Sequence, residues 1–257
     1  MLKKISRFYQ ASDLKVGDEL VLSAVNHRHA IQVLRLKKAD SLIVFNGKGG
    51  EFLGYLIDVE KRSSRIILKS FDPINRESNL SSTIFLAMIK PDKMDFSLQK
   101  MVELGVTEIQ PIYTKRSVIK IKANRLEKKM QHWQGVIIAA CEQSGRTTIP
   151  IIHQPQSLIE CLERQCLGGF LAMLPESQIS LIELKKTKPS MTNISLFIGP
   201  EGGFTSDEEL LMQSKGATAI SVGGRILRAE TAAIAGLTAC QLLWGDLGGC
   251  PSPHAVS

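Results

Sequence analysis

Two rhythms of apolar and polar positions divide the chain. Over residues 1–72 the pattern is short and alternating, and it predicts strands at Glu19–Leu22, Ser41–Phe45, Glu51–Val59 and Arg65–Phe71. Between the second and third lies Asn46-Gly47-Lys48-Gly49-Gly50, where Asn-Gly supplies the positive φ angles of a tight hairpin. One helix interrupts the strands around Val25–Leu34, with Val25, Ile31, Val33 and Leu34 as its apolar members. Asp72-Pro73-Ile74-Asn75 breaks regular structure, and the polar stretch from 73 to 82 reads as a linker.

From Ser82 strands alternate with helices, which predicts an α/β unit built on a largely parallel sheet. Thr83–Ile89 is a continuous apolar run of the buried-strand type. After Lys90-Pro91-Asp92, Met94, Leu98, Met101 and Val102 recur at helical spacing until Gly105. Glu108–Tyr113 is the next strand. Leu126, Met130, Trp133, Ile137 and Cys141 form one stripe of a long helix. Further strands are expected at Gly169–Leu174, Ile194–Ile198 and Ala219–Val222, with a helix around Ile179–Lys185 and another from the capping-box spacing Thr205-Ser206-Asp207-Glu208. Glu230–Trp244 predicts a last helix, apolar nearly all round, so it is buried or lies at a subunit interface. The tail 247–257, with Gly248-Gly249-Cys250-Pro251, is expected to be disordered.

Composition narrows the class. With 44% hydrophobic and 22% charged residues the chain is an ordinary globular one, not a disordered or fibrous one. The longest uncharged run in its apolar C-terminal third, Thr231 to Gly245, is shorter than the ~20 residues a spanning helix needs. MLKKISRFYQ has no apolar core behind its basic residues and is read as no signal peptide. Cys141, Cys161, Cys166, Cys240 and Cys250 lack metal-site spacing, so a reduced cytoplasmic protein without structural metal is expected. The net charge of +7 is one-sided: residues 1–150 carry 25 basic and 15 acidic groups, whereas 151–257 carry 7 and 10. A basic half suggests a polyanionic partner for that half, the alternative being a solvated lysine-rich face.

Three segments carry candidate chemistry. Ile198-Gly199-Pro200-Glu201-Gly202-Gly203-Phe204 lies between a strand and a capped helix, where open α/β sheets bind ligands. Its spacing is neither G-x-G-x-x-G nor G-x-x-x-x-G-K-[ST], so it suits a nucleoside better than a polyphosphate. Val222-Gly223-Gly224-Arg225-Ile226-Leu227-Arg228-Ala229-Glu230-Thr231-Ala232 also joins a strand to a helix; Arg228 and Glu230 either serve a ligand or merely pair with each other. Glu142, Gln143 and Arg146 end the long helix with groups able to bond a base edge and a phosphate. Cys141 there reads as a packed thiol rather than a nucleophile. Lys115, Arg116, Lys120, Lys122, Arg125, Lys128 and Lys129, with Glu127 the single acid among them, form a phosphate-tracking strip, and Arg7, Arg28, His29 and Arg35 add charge near the N-terminus.

Together Glu103-Leu104-Gly105-Val106, Pro111, Glu142-Gln143-Ser144-Gly145-Arg146, Ile198 to Phe204 and Arg225 to Ala232 resemble the RsmE family of 16S rRNA uracil-N3 methyltransferases, in order and over residues 1 to about 246. Arg7-Phe8-Tyr9, His29 and Val33-Leu34-Arg35 are similar to that family's N-terminal domain. Ala229, where relatives often carry threonine, is a local departure. The resemblance implies a PUA-like β-barrel for RNA binding over 1–72 and a SPOUT-type methyltransferase domain over 83–246 with a C-terminal trefoil knot. It implies a homodimer and S-adenosylmethionine held by three loops: Met173, Leu174 and Pro175; Ile198, Gly199, Pro200, Glu201, Gly202 and Gly203; and Val222, Gly223, Ile226 and Leu227, with Thr231 beyond. It also implies a partner, the small ribosomal subunit. Arg228, Glu230 and Arg146 are the expected catalytic groups, and Arg7, Arg28, His29, Arg35, Lys115, Arg116, Lys120, Lys122, Glu142 and Gln143 the expected RNA contacts. A non-catalytic ribosome-associated RNA-binding protein remains the alternative; it would need no intact glycine loops.

Overall fold

A computed structural model describes residues 5–163 and 169–249; Cys166 and, of the tail expected over 247–257, residues 250–257 with Cys250 lie outside the described residues. The chain divides into two compact units, one containing residues up to Glu77 together with Cys141–Ile149, the other Ser78–Ala140 and the chain from Pro150. Segment 141–149, expected within an unbroken second domain, thus groups with the first.

The first unit is a five-stranded sheet of β1 (Arg7–Tyr9), β2 (Glu19–Val21), β3 (Ser41–Phe45), β4 (Glu51–Val59) and β5 (Ser64–Asp72), in the order β1-β3-β4-β5-β2. β1 pairs parallel with β3, and the other pairings are antiparallel. Alternate residues of each strand face inward, so Leu42 with Val44 and Ile66 with Leu68 close over Phe8, Leu22 and Ala30. The expected hairpin turn is present, with Gly47, Gly49 and Gly50 all at positive φ.

The helix expected over Val25–Leu34 is instead a short α1 (Ala24–His27) that widens into a π-helical turn, Arg28–Val33. Ser23 caps its start by accepting from the Asn26 N–H, and at the far end the Leu34 N–H donates five residues back, to His29 O. That widening rotates the faces away from 3.6 periodicity. Ala30 becomes the buried member, while Val25 and Val33 are 76% and 64% exposed.

The second unit is a seven-stranded parallel sheet of β6 (Ser81–Ala87), β7 (Glu108–Tyr113), β8 (Ile151–Ile152), β9 (Gln156–Ser157), β10 (Gly169–Met173), β11 (Asn193–Ile198) and β12 (Thr218–Ile220). Its order is β12-β10-β11-β6-β7-β8, with β9 also on β7. Pro111 in mid-β7 has no N–H to give, and the neighbouring strand is interrupted there between β8 and β9. Gln110 fills the gap, its Nε2 donating to Gln154 O at 2.8 Å.

The helices are α2 (Pro91–Glu103), α3 (Ala123–Ser144, whose last residues count in the first unit), α4 (Leu158–Glu163), α5 (Leu181–Thr187), α6 (Ser206–Ser214) and α7 (Ala229–Trp244). Full capping boxes start α5 (Ser180 with Glu183) and α6 (Thr205 with Glu208). Apolar side chains of the central strands pack face to face: Phe197 of β11 stacks on Phe85 of β6 with centroids 4.0 Å apart. α7 packs on α2, α5, β6 and β11.

The stretch 73–82, polar in composition, is tied down rather than free. Arg76 and Glu77 are bonded within the first unit, while Ser78 Oγ donates to Gln241 Oε1 at 2.6 Å and Leu80 is fully buried in the second.

Candidate functional site

Three neighbouring parallel strands, β12, β10 and β11, each end in a loop at one edge of the sheet, the edge where α/β folds bind ligands. Between the loops lies a cleft lined by Met173, Leu174 and Pro175 after β10, by Ile198, Gly199, Pro200, Glu201, Gly203 and Phe204 after β11, and by Ser221, Val222, Gly223, Arg225, Ile226 and Leu227 after β12. Ile220, Glu209 of α6, and Ala229 and Ala232 of α7 complete it.

The turn after β11 depends on its glycines. Gly203, at φ +69°, donates its N–H to Pro200 O at 2.8 Å, a conformation that a side chain would strain. A Cβ on Gly199 would stand 3.2 Å from both the Gly203 carbonyl carbon and the Phe204 ring, so the loop folds onto itself only around glycine. Arg116 braces the turn from the loop after β7: its Nη1 donates to Gly202 O at 2.6 Å and to Phe204 O at 2.9 Å. Beside it the Lys115 N–H donates to Glu208 Oε1 at 2.7 Å and its ammonium pairs with Asp207 at 2.6 Å. Lys115 and Arg116, expected along the RNA strip, are engaged with the cleft's own framework.

Most of the wall is aliphatic or aromatic, with the carboxylates of Glu201 and Glu209 as the acidic lining groups and Arg225 as the basic one. Such a donor set fits S-adenosylmethionine: an apolar slot and exposed backbone amides for the adenosine, and carboxylates for a cationic chain. Gly202 and Thr231, expected to touch the cofactor, are not lining residues, and Thr231 is exposed on the first turn of α7. Phe204, Arg225, Ala229 and Ala232 line the cleft from within the two glycine segments singled out above, whereas Glu209, Ile220 and Ser221 lie outside every segment expected to hold the cofactor.

Arg228 and Glu230 flank the lining residue Ala229 at the start of α7. Arg228 is exposed, whereas Glu230 is 7% exposed. The Glu230 carboxylate lies 3.4 Å from Lys93 Nζ of α2, a contact between elements that the sequence reading did not foresee.

Arg146, expected as a catalytic group, belongs to the first unit and is buried there. Its Nε and Nη2 donate to Glu77 Oε2 at 3.0 and 2.5 Å, and the Thr148 N–H donates to Glu77 Oε1. Arg7, expected on RNA, pairs with Glu51 and donates to Arg146 O at 3.0 Å; Arg76 donates to Glu51 and to Gly145 O, both at 3.0 Å. Burial would by itself raise the Glu51 carboxyl, but hydrogen bonds and charge from Arg76 and Arg7 outweigh it and hold Glu51 below its usual range. Glu142 Oε1 accepts the Tyr9 N–H at 2.9 Å, and burial pushes this carboxyl up. Arg28, Arg35 and Gln143 are exposed and His29 is half-buried. Cys141 is a buried thiol pushed up to about 12 by desolvation, as a packed side chain should be.

Residues 76–241 match the RNA methyltransferase domain family, and residues 27–69 match the RNA methyltransferase PUA domain family. Ribosomal RNA small subunit methyltransferase E of Buchnera aphidicola (subspecies Schizaphis graminum) is 34% identical over 249 residues, covering 96% of this chain and all of its own. The protein of that name from Rickettsia conorii is 35% identical over 244 residues, covering 93% of this chain and 96% of its own. The crystal structure of a Neisseria gonorrhoeae ribosomal RNA small subunit methyltransferase E bound to S-adenosylmethionine superposes with a TM-score of 0.87 at 35% identity over 95% of this chain and 99% of its own. A Legionella pneumophila methyltransferase solved with the same cofactor gives 0.91 at 35% identity, over 95% and 100%. A glycine cleft at three strand ends, near-complete coverage and this level of identity together establish that the chain belongs to the ribosomal RNA small subunit methyltransferase E family.

Proposed function

We propose that this protein transfers a methyl group from S-adenosylmethionine to N3 of one uridine in 16S rRNA. The observation that carries the reading is that twelve of the fourteen residues expected to hold the cofactor line a single cleft at the ends of β10, β11 and β12. When bound, the cofactor supplies an electrophilic sulfonium methyl. The apolar walls from Leu174, Ile198, Val222 and Leu227 hold the adenosine and exclude water, and Glu209 and Glu201 face its cationic chain. At the rim Arg228 offers a guanidinium to a uracil carbonyl, stabilising the anion formed as N3 loses its proton. Glu230, held by Lys93, accepts that proton or orients Arg228. The new bond is N3–CH3, the broken one S–CH3, and the sulfur keeps the bonding pair.

The same reading takes the loops after β10, β11 and β12 as a trefoil knot, consistent with a spatial order of strands that departs from chain order. It takes α5 and α7 as a homodimer face, where Ile182 and Leu242 are 65% and 57% exposed. The first unit, with Arg28, His29 and Arg35, serves as the RNA-binding domain. A cytoplasmic location agrees with the rRNA substrate and with free, buried thiols at Cys141 and Cys240. Among the described residues no helix is long and apolar enough to cross a membrane.

Mass-spectrometric mapping of 16S rRNA from a strain lacking this protein tests the assignment, paired with calorimetric titration of S-adenosylmethionine. One missing methyluridine, restored by the purified protein, is the expected result. Cofactor binding with no missing methyl group overturns the uridine assignment; no cofactor binding at all leaves an RNA-binding protein.

A further inference from the structure

The second unit contains another cavity, of 280 Å³, that the methyl-transfer reading does not use. Local sequence explains its character. In Ile119-Lys120-Ile121-Lys122 the side chains alternate, so the isoleucines are half-buried and the lysines exposed. The Ile121 N–H fixes this extended loop by donating to the Tyr113 hydroxyl at 3.3 Å. Opposite, Arg125, Lys129 and Trp133 are spaced by four along one face of α3, with the Lys129 ammonium 5.2 Å from the Trp133 ring centre. Met88 after β6 and Met94 of α2 close the floor.

The result is an apolar slot with a cationic mouth. Lys129 has Asp95 at 3.5 Å, but among the described residues Lys120, Lys122 and Arg125 make no ion pair. Three unneutralised cations beside an apolar opening select an occupant that is anionic at one end and flat and apolar at the other. An unstacked nucleotide has that construction, and it is how single-stranded RNA is commonly read.

The slot is also tied to the catalytic rim through α2. Met94 lines it, while the preceding residue, Lys93, reaches Glu230. Resting on the rRNA methyltransferase reading, we propose that this cavity receives the base of a nucleotide flanking the target uridine, with its phosphates on Lys120, Lys122 and Arg125. The target is thereby chosen by a neighbour as well as by the uracil itself.

The test uses the full-length protein with unmodified small subunits purified from a strain lacking it. Ile121→Trp fills the slot without changing charge. The expected outcome is a KM for the particle raised about tenfold, with S-adenosylmethionine affinity by calorimetry unchanged. Lys122→Ala with Arg125→Ala should reduce the slope of log affinity against log salt by roughly 1.4, two single-strand phosphate contacts. Should Ile121→Trp lower the melting temperature, Ile119→Phe fills the same space from the adjacent half-buried position. Unchanged KM in the filled variants overturns the nucleotide slot even if the double alanine variant binds less well, since a surface strip alone would give that result. Failure of the wild-type protein to methylate the particle overturns the activity instead, so the two ideas fail separately.

Discussion

Lys93 of α2 and Glu230 of α7 meet at 3.4 Å, and Glu230 is nearly buried at the point where α7 begins beside the cofactor cleft. Two helices remote in sequence thus share one charge pair at the rim. The neighbouring Arg228 stays exposed.

Glu230→Gln keeps the shape and removes the base. If Glu230 takes the N3 proton, kcat should fall roughly 10²–10⁴-fold, the usual share of a general base. S-adenosylmethionine affinity should stay within about twofold, because the carboxylate is not a lining group. Lys93→Met should lower kcat less, which single-turnover kinetics would reveal. Equal losses in cofactor affinity and kcat would point to collapse of the α7 start instead.

Arg116→Ala removes two hydrogen bonds from the glycine turn, to Gly202 O and Phe204 O. Charge-assisted bonds of this kind contribute about 1.5–3 kcal/mol when sheltered, and exposure of Arg116 reduces that. Calorimetry should show S-adenosylmethionine affinity down by roughly tenfold, while the salt dependence of RNA binding is preserved. The opposite split would return Arg116 to the phosphate strip.

The third outcome concerns pH. Glu51, buried between Arg7 and Arg76, is held below the usual 4.5 of a glutamate. A depressed carboxyl contributes stability above its unfolded value and loses it as pH falls through the folded one. Glu51→Gln should therefore cost about 3 kcal/mol at pH 7, the low end for opening a buried pair. The gap from wild type should close as the pH drops below 4.5. Urea titrations at pH 7 and pH 4 measure both; a gap independent of pH would remove Glu51 from the acid response.

The glycine cleft was legible in the sequence because strand, glycine turn and capped helix are all local signals, each within a dozen residues. The positions of β3 and β4 were legible for the same reason. What the sequence concealed was pairing at long range. An arginine at a helix end reads alike whether it faces phosphate or a carboxylate, and the partner of Arg146, Glu77, lies 69 residues away in a stretch polar enough to pass for a linker. Lys115 and Arg116 belonged by composition to the same basic strip as Lys120 and Lys122, yet the loop after β7 turns the first two onto α6 and the glycine turn. The π-helical turn at Arg28–Val33 was hidden because its apolar residues mimic ordinary helical spacing while Val25 and Val33 face outward.

The composition of the first unit sets a timetable for synthesis. Its sheet ends at Asp72, but Arg7, Tyr9, Arg76 and Glu77 find partners on Glu142, Gly145, Arg146 and Thr148. At the usual translation speed of ~5–20 residues per second, residues 78–140 take roughly 3–13 s to emerge. For that interval Arg7 and Arg76 lack their carbonyl partners, the Tyr9 N–H its carboxylate and Glu77 its arginine, next to the highly charged RNA of the ribosome making the chain.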